Sequence, residues 1–149
     1  MEDPRDLFPY ESGFPDSESI YRYIPGESHP VHLDDKLHSN QYRILHKLGY
    51  GSFCSVWGVR DEQEQKYVAI KVPIADAPSS REIETLTALA ASEITHPGKA
   101  YLPVLLDDLE LDGSNGTHRC IVTGVYGLSV GLVLEVENVY LYASAARRL

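Results

Sequence analysis

The sequence predicts an α+β fold in which a five-stranded antiparallel sheet packs against one helix. Short runs rich in β-branched and aromatic residues alternate with turn residues from Tyr42 onward, which is typical of strands. After Pro78 a single segment has apolar residues at helical spacing, and two more strand-like runs follow it. The predicted order is therefore β-β-β-α-β-β, so the sheet and the helix share one core.

The first three strands are predicted between residues 42 and 72. Tyr42 to Leu48 alternates in hydrophobicity, Phe53 to Arg60 is aromatic and β-branched, and Lys66 to Val72 is the third run. The breaks between them, Gly49 to Ser52 and Asp61 to Gln65, have the length of hairpin connections. We therefore expect an antiparallel meander.

The helix is predicted to follow Pro78, with Ser79 or Ser80 as its cap and His96-Pro97-Gly98 as its stop signal. Its apolar stripe consists of Ile83, Leu86, Leu89 and Ala90. The last two predicted strands are Leu102 to Leu109 and Thr117 to Thr123. A turn-rich segment from Asp112 to Gly116 separates them.

Composition divides the chain into three segments, at residues 1–35, 36–127 and 128–149. The first segment carries nine acids against two bases and five of the nine prolines, without periodicity. This favours an extended, solvated leader, although its aromatic residues could also dock on the domain or on a partner. The last segment has valines at a spacing of three, which fits a poor helix, while its β-branched content favours a strand.

Composition also argues against several classes of protein. The net charge of −9 disfavours nucleic-acid binding. The longest charge-free apolar stretch, Cys120 to Leu134, has 15 residues and is too short to cross a membrane. The first residues have no secretory signal, so we expect a cytoplasmic or nuclear protein. With only Cys54 and Cys120, the sequence predicts free thiols rather than a disulfide framework or a zinc site.

Two glycines in Leu48-Gly49-Tyr50-Gly51 precede an apolar strand. Glycines let backbone N–H groups approach phosphate oxygens closely, because no Cβ intervenes. An isolated pair of this kind more often marks a hairpin turn that needs a positive φ. The glycines alone are therefore a weak indication of a phosphate site.

Lys71 strengthens this indication. In Val68-Ala69-Ile70-Lys71 the alternation of a strand places Ala69 and Lys71 on one face and the β-branched residues on the other. A lysine beneath a glycine turn is suited to hold phosphates as a point charge. The alternative is an ordinary lysine whose stem packs on the surface.

A lysine in this role needs an acidic partner, and Glu82 falls inside the apolar stripe of the helix. Glu84 points to the far side of that helix, and Glu93 lies near its end. The alternative use of Glu82 is a capping box with Ser79, which would direct the carboxylate to the first turn of its own helix.

These features together resemble the small, ATP-binding lobe of protein kinases. The closer similarity is to the serine/arginine-rich protein kinases, especially their fungal relatives, and it spans about residues 25 to 127. It rests on these segments: His29-Pro30-Val31-His32, His46 to Phe53, Val56-Trp57, Arg81-Glu82-Ile83-Glu84, Leu105-Leu106-Asp107-Asp108 and Gly113 to His118.

The resemblance implies ATP as the ligand, with protein substrates or a kinase large lobe as partners. The residues that it assigns to ATP are Leu48, Gly49, Tyr50, Gly51, Val56, Ala69, Lys71, Glu82 and Val125. Lys71 and Glu82 would set the phosphates, Ala69 would line the adenine site, and Thr123 to Tyr126 would form the hinge. Mg²⁺ is expected only where a complete large lobe is present.

The sequence also departs from the kinase pattern. Cys54 stands at the third glycine position, Thr123-Gly124 is unusual for a hinge, and the interval from Lys71 to Glu82 is short. Neither an H-R-D-x-x-x-x-N nor a D-F-G motif occurs, so no catalytic residue is assigned, and we expect a fragment that is inactive alone. The alternatives are a non-catalytic binding or decoy module and a truncated gene product.

Overall fold

The computed structural model describes residues 18–77, 81–93 and 95–127. These residues form one six-stranded antiparallel sheet and one α-helix. The elements are β1 (Lys36–Leu37), β2 (Tyr42–Gly51), β3 (Cys54–Asp61), β4 (Lys66–Pro73), α1 (Glu82–Ala91), β5 (Leu105–Gly113) and β6 (Gly116–Thr123). Their order across the sheet is β1-β2-β3-β4-β6-β5.

The predicted number of five strands is wrong, because β1 is a sixth. This strand has two residues, Lys36 and Leu37, which pair with Arg43 and Tyr42 of β2. Two residues are too few to show an alternating pattern, so the sequence gives no signal for this strand. The rest of the strand order agrees with the prediction.

The predicted meander is confirmed by the antiparallel pairing of β2 with β3 and of β3 with β4. The first turn, however, lies later than predicted. β2 continues through Gly51, which pairs with Cys54, so that Ser52 and Phe53 make the turn. Neither Gly49 nor Gly51 has a positive φ. The turn therefore does not need these glycines, and the ordinary explanation for them is removed.

The two faces of the sheet bury different clusters. The face that we call the core face carries Val68, Ile70 and Val72 of β4, as predicted from alternation. Other buried members of the same cluster are Leu37, Tyr42, Ile44, Trp57, Val59, Leu109, Cys120 and Val122. The opposite face, the helix face, packs α1 through Ile83 and Leu86 against Ile121.

The helix is shorter than predicted, because α1 ends at Ala91 rather than near His96. Ser92 adopts an extended backbone, and its N–H closes on the carbonyl of Leu89 at 3.3 Å. A separate 3₁₀ turn, Pro97–Tyr101, follows, capped by the His96 imidazole. At its other end α1 is preceded by Arg81, which makes no side-chain cap. The predicted caps Ser79 and Ser80 lie outside the described residues.

Residues 18–35 of the predicted leader lie on the domain, so the preference for solvated coil is wrong there. The amide of Gly26 donates to the carbonyl of Asn115 at 2.7 Å, and the Asn115 side chain donates to the carbonyl of Ser28 at 2.6 Å. The backbone carbonyl of Glu27 accepts from the backbone amide of Ala75 at 3.1 Å. Backbone hydrogen bonds, the Asn115 side chain and an ion pair of Glu18 with Lys47 hold this segment, and composition does not reveal these contacts. Residues 1–17 and the predicted tail, residues 128–149, lie outside the described residues.

Within the described part of the chain, no helix combines the length and the apolar character that a bilayer crossing requires. The compartment in which the protein resides stays a prediction.

Candidate functional site

On the helix face, a row of directly paired residues on neighbouring strands contains both Gly49 and Lys71. Gly49 pairs with Val56, Val56 pairs with Lys71, and Lys71 pairs with Ile121. Directly paired residues in antiparallel strands project to the same face of a sheet, and neighbouring strands lie about 4.8 Å apart. The sheet therefore places Gly49 two strands from Lys71 on one face.

The predicted ion pair between Lys71 and Glu82 is present. The Lys71 Nζ lies 2.5 Å from a carboxylate oxygen of Glu82. The helix reaches this position because Ile83, the next residue, is buried against Ile121, the neighbour of Lys71 in the row. Glu82 is the first residue of α1 rather than the third, so it does not occupy the position of the glutamate in a capping box.

A cavity of about 620 Å³ opens beside this ion pair. Its walls are the turn of the β2–β3 hairpin, the end of β4 with the residues after it, the first turn of α1 and alternate residues of β6. The lining residues are Ser52, Phe53, Cys54, Lys71, Pro73, Ile74, Ala75, Ala77, Glu82, Ile83, Glu84, Thr117, Arg119 and Ile121. The cavity lining therefore combines apolar residues with two cations, Lys71 and Arg119, and two carboxylates, Glu82 and Glu84.

Comparison with known proteins finds that this chain is similar in sequence to several protein kinases. A serine/threonine protein kinase of Aspergillus fumigatus is 32% identical over 122 residues, which are 76% of this chain and 31% of that kinase. SRSF protein kinase 3 of Homo sapiens is 33% identical over 109 residues, 70% of this chain and 19% of the kinase. Protein kinase dsk1 of Schizosaccharomyces pombe is 34% identical over 115 residues, 74% and 21% respectively. The chain is a homologue of the serine/threonine protein kinases.

The homology extends over a kinase N-terminal lobe, and the chain spans less than a third of the length of these kinases. No protein-family model matches the chain. The sheet and single helix of the structure are compatible with such a lobe, although the sheet has six strands instead of the expected five.

Several residues predicted for the kinase site do not line the cavity. Tyr50 lies on the core face, where the Lys47 ammonium sits 5.5 Å from the centre of its ring. Ala69 is buried between Gly58 and Thr123, two residues along β4 from Lys71. The other five that do not line it are Leu48, Gly49, Gly51, Val56 and Val125, of which Leu48 and Val125 are about half exposed.

Twelve of the fourteen lining residues are not among those predicted for the site, and three of the twelve lie on β6. Thr117, Arg119 and Ile121 alternate along β6 and share the helix face. The buried Ile121 could have indicated them, because alternation fixes the residues two and four positions away. Arg119 also contacts the Asp108 carboxylate at 3.4 Å. Glu84, predicted to point to the far side of the helix, lines the cavity as well.

The two cysteines lie in different environments. Both cysteines are free thiols, as predicted, and burial raises the pKa of Cys120 to about 12. Cys54 instead lines the cavity at the third glycine position, with its sulfur 3.4 Å from where a Cβ on Gly51 would stand. Within the described ranges no three His, Cys, Asp or Glu side chains come together as metal ligands.

Proposed function

We propose that residues 36–127 bind ATP as the N-terminal lobe of a serine/threonine protein kinase related to the SR-protein kinases. The observation that carries the proposal is the ion pair of Lys71 with Glu82 at the cavity, in the same row as Gly49. The homologues named above support a kinase, and the geometry supports a phosphate site within it.

Lys71 supplies the positive charge for the α- and β-phosphates, and Glu82 holds that charge in place. The two side chains are 34% and 40% exposed, so a ligand can reach them without displacing the core. A lysine ammonium is a flexible point charge, and an acidic partner restricts the positions it samples. Glu82 is therefore a positioning residue, acting through Lys71.

The glycine hairpin supplies backbone donors above the phosphates. A Cβ added at Gly49 would meet no heavy atom within 4 Å, so open space adjoins the backbone there. Amide groups beside open space can approach phosphate oxygens, which side chains at these positions would block. Gly51, with Cys54 beside it, is the more crowded of the two.

The adenine assignments rest on kinase homology rather than on the observed cavity. In this proposal Ala69, Leu48 and Val56 enclose the base, and the backbone at Val125 reads its edge. Buried Ala69 leaves room on the helix face because its side chain is a single methyl group.

The reaction proposed for the whole protein is transfer of the γ-phosphate of ATP to a Ser or Thr of a protein. ATP supplies the phosphoryl group, and Mg²⁺ is proposed only for a protein that includes a large lobe. Phosphoryl transfer depends on a catalytic-loop aspartate and metal-binding residues in H-R-D and D-F-G motifs. Because the 149 residues contain neither motif, we expect no turnover from them alone.

Calorimetric titration with ATP tests the binding proposal. The Lys71→Met variant should lose at least about tenfold in affinity, equivalent to roughly 1.4 kcal/mol, because one phosphate contact is removed. Lys66→Met is the matched control, since Lys66 is an exposed lysine at the start of the same strand. Equal affinities of the two variants would refute the proposed role of Lys71.

A second candidate function, a non-catalytic binding module, is favoured by one observation. Exposed apolar side chains cluster where β5 begins and β6 ends, and the Tyr126 hydroxyl accepts from the Val104 amide at 3.0 Å. These side chains are Tyr101, Leu102, Val104, Leu106, Val125 and Tyr126. Capture of a separately produced kinase large lobe, lost in Val104→Glu, would support this function, and failure of capture would argue against it.

A further inference from the structure

A buried carboxylate of the leader is joined to the strand that leads into the glycine hairpin. Glu18 forms an ion pair with Lys47 of β2 and accepts a hydrogen bond from the Tyr23 hydroxyl at 2.5 Å. The Glu18 side chain is only 7% exposed, and that of Lys47 is 26% exposed. A nearly buried ion pair is sensitive to the loss of either partner, because the remaining charge is left without compensation.

Lys47 also connects the two strands of the hairpin. It pairs directly with Trp57 of β3, and its ammonium lies 5.5 Å from the ring centres of both Trp57 and Tyr50. The Trp57 indole in turn donates to the Ser55 hydroxyl at 3.0 Å. The ammonium therefore contacts side chains from both strands of the hairpin, on the core face.

This contact lies behind the proposed nucleotide site rather than in it. Lys47 and Trp57 project from the core face, whereas Gly49 and Val56 belong to the row of Lys71 on the helix face. Glu18 thus reaches the hairpin from the side opposite to the cavity. A ligand in the cavity and the leader on the core face can be present at the same time.

The outer edge of the hairpin needs such support. Among the described residues, β1 pairs with β2 only at Tyr42 and Arg43, and the segment before β1 adds backbone bonds only at Ile44. Two register shifts, between Ile44 and His46 and between Lys47 and Gly49, interrupt the inner ladder as well. A strand with an unpaired edge and an irregular ladder opens locally at low cost.

We propose that Glu18, acting through Lys47, is a positioning residue that holds the glycine hairpin over the nucleotide site. This inference rests on the proposed function for its ligand, whereas the restraint on the hairpin does not depend on any ligand. The leader thereby supports the site from the opposite face of the sheet, although composition alone suggested a solvated segment. Loss of the ion pair should loosen the hairpin and weaken nucleotide binding, although neither Glu18 nor Lys47 lines the cavity.

Amide hydrogen exchange of the 149-residue chain without nucleotide tests the restraint. In Glu18→Gln and in Lys47→Met, the amides of residues 48–54 should exchange faster by about tenfold or more. Each variant removes one charge of the nearly buried ion pair and leaves the other charge without a partner. Glu27→Gln is the matched control. It breaks another ion pair of the leader, which joins Glu27 to Arg22 of the leader itself at 3.2 Å.

The double variant Glu18→Gln/Lys47→Met tests whether Glu18 and Lys47 act as a pair or independently of each other. If the two act together, its hairpin exchanges no faster than in the single variants, since neither charge is left alone. Additive effects, or hairpin exchange that is unchanged in both single variants, would overturn the inference. Lys47→Arg, which keeps the charge, should retain near-wild-type exchange, and this variant distinguishes loss of the pair from general unfolding.

Titration of the same variants with ATP links the restraint to the ligand. Glu18→Gln should weaken ATP binding by about threefold to tenfold through a smaller population of the closed hairpin. If the wild-type chain binds no ATP while the exchange results hold, the proposed function fails and the restraint stands. If ATP binds equally to wild type and Glu18→Gln, the positioning role is refuted while the proposed function stands.

Discussion

At the scale of single residues, the pair of Lys71 and Glu82 contributes to position more than to stability. Both side chains are more than a third exposed, and such pairs are worth only about 0–1 kcal/mol to folding. The sequence predicted this pair because Glu82 falls within the apolar stripe of α1. It could not exclude the capping box, which depends on where the helix begins.

Glu82→Gln should therefore weaken ATP binding while changing the free energy of unfolding by less than about 1 kcal/mol. Glu93→Gln is the control, because Glu93 was also a candidate in the sequence but lies after the end of α1. Calorimetry and urea unfolding measure the two quantities separately. A large loss of stability in Glu82→Gln, with ATP binding unchanged, would contradict the assigned role.

A pair of imidazoles joins the leader to β6. The rings of His29 and His118 lie 5.1 Å apart in an edge-to-face arrangement, and His118 contacts the carbonyl of Pro73 through Nδ1 at 2.8 Å. Burial, and then the proximity of His118, lower the pKa of His29, while the Asp35 carboxylate raises it and His32 lowers it further. The folded chain therefore favours neutral His29.

The stability of the chain should fall as the pH drops below about 6.5, the ordinary pKa of histidine. In that range the unfolded chain binds a proton that His29 in the folded chain resists, and the loss continues down to the folded pKa. Urea unfolding at pH 7.5 and pH 5.5 measures the effect, and His29→Gln should reduce its size. An equal pH dependence in the variant would show that other groups cause it.

At the scale of elements, the glycine of the hairpin differs from a glycine of the leader. Gly49 has an ordinary φ and open space at its Cβ position, whereas Gly26 has a φ of +86° and a Cβ there would lie 2.3 Å from the Asp76 carboxylate. The glycine at position 26 is thus required by the backbone of the leader. No positive φ requires the glycine at position 49.

Gly49→Ala should change the free energy of unfolding by less than about 0.5 kcal/mol but lower ATP affinity, since its methyl group enters the space proposed for phosphates. Gly26→Ala should instead destabilise the chain by roughly 1–3 kcal/mol through backbone strain. Thermal unfolding and ATP titration of both variants measure these effects. Unchanged ATP affinity in Gly49→Ala would count against the phosphate site.

Side-chain periodicity identified the elements and part of their buried faces, but not all of their bounds. The alternation of β4 and the stripe of α1 identified buried residues such as Val68 and Ile83, whereas Ala90 of that stripe is exposed. The strand β5 runs from Leu105 to Gly113 rather than from Leu102 to Leu109. The end of α1 was misplaced because Ser92 leaves the helix before the stop signal at His96. The strand β1 was missed because two residues carry no periodicity.

At the scale of the whole molecule, the described leader and α1 cover opposite faces of one sheet. Val31 packs against the core cluster on one face, and Ile83 and Leu86 pack on the other. The sequence did not predict that the leader covers the core face. The contacts that hold the leader include backbone hydrogen bonds and the buried polar residue Asn115, which leave no periodic pattern. The kinase relationship itself, however, was visible in motifs spread over most of the domain.

Removal of residues 1–35 should lower the urea midpoint of the domain, because it uncovers His118 and removes the hydrogen bonds of Asn115. Removal of residues 1–17 alone keeps all of these contacts and is the matched control. Tryptophan fluorescence follows the transition, since Trp57 lies in the core cluster. Equal midpoints for the two deletions would mean that the leader adds nothing to the stability of the sheet.

The most direct test of the central claim uses an ATP derivative that carries a reactive acyl group on its γ-phosphate. Such a reagent acylates a lysine that lies beside the bound phosphates, and mass spectrometry of the peptides identifies that lysine. The arrangement of Lys71, Glu82 and Gly49 predicts rapid acylation of Lys71, suppressed by excess ATP, with Lys66 labelled slowly and without competition. Labelling of Lys71 at the rate of Lys66, unaffected by ATP, would contradict a nucleotide site on this sheet.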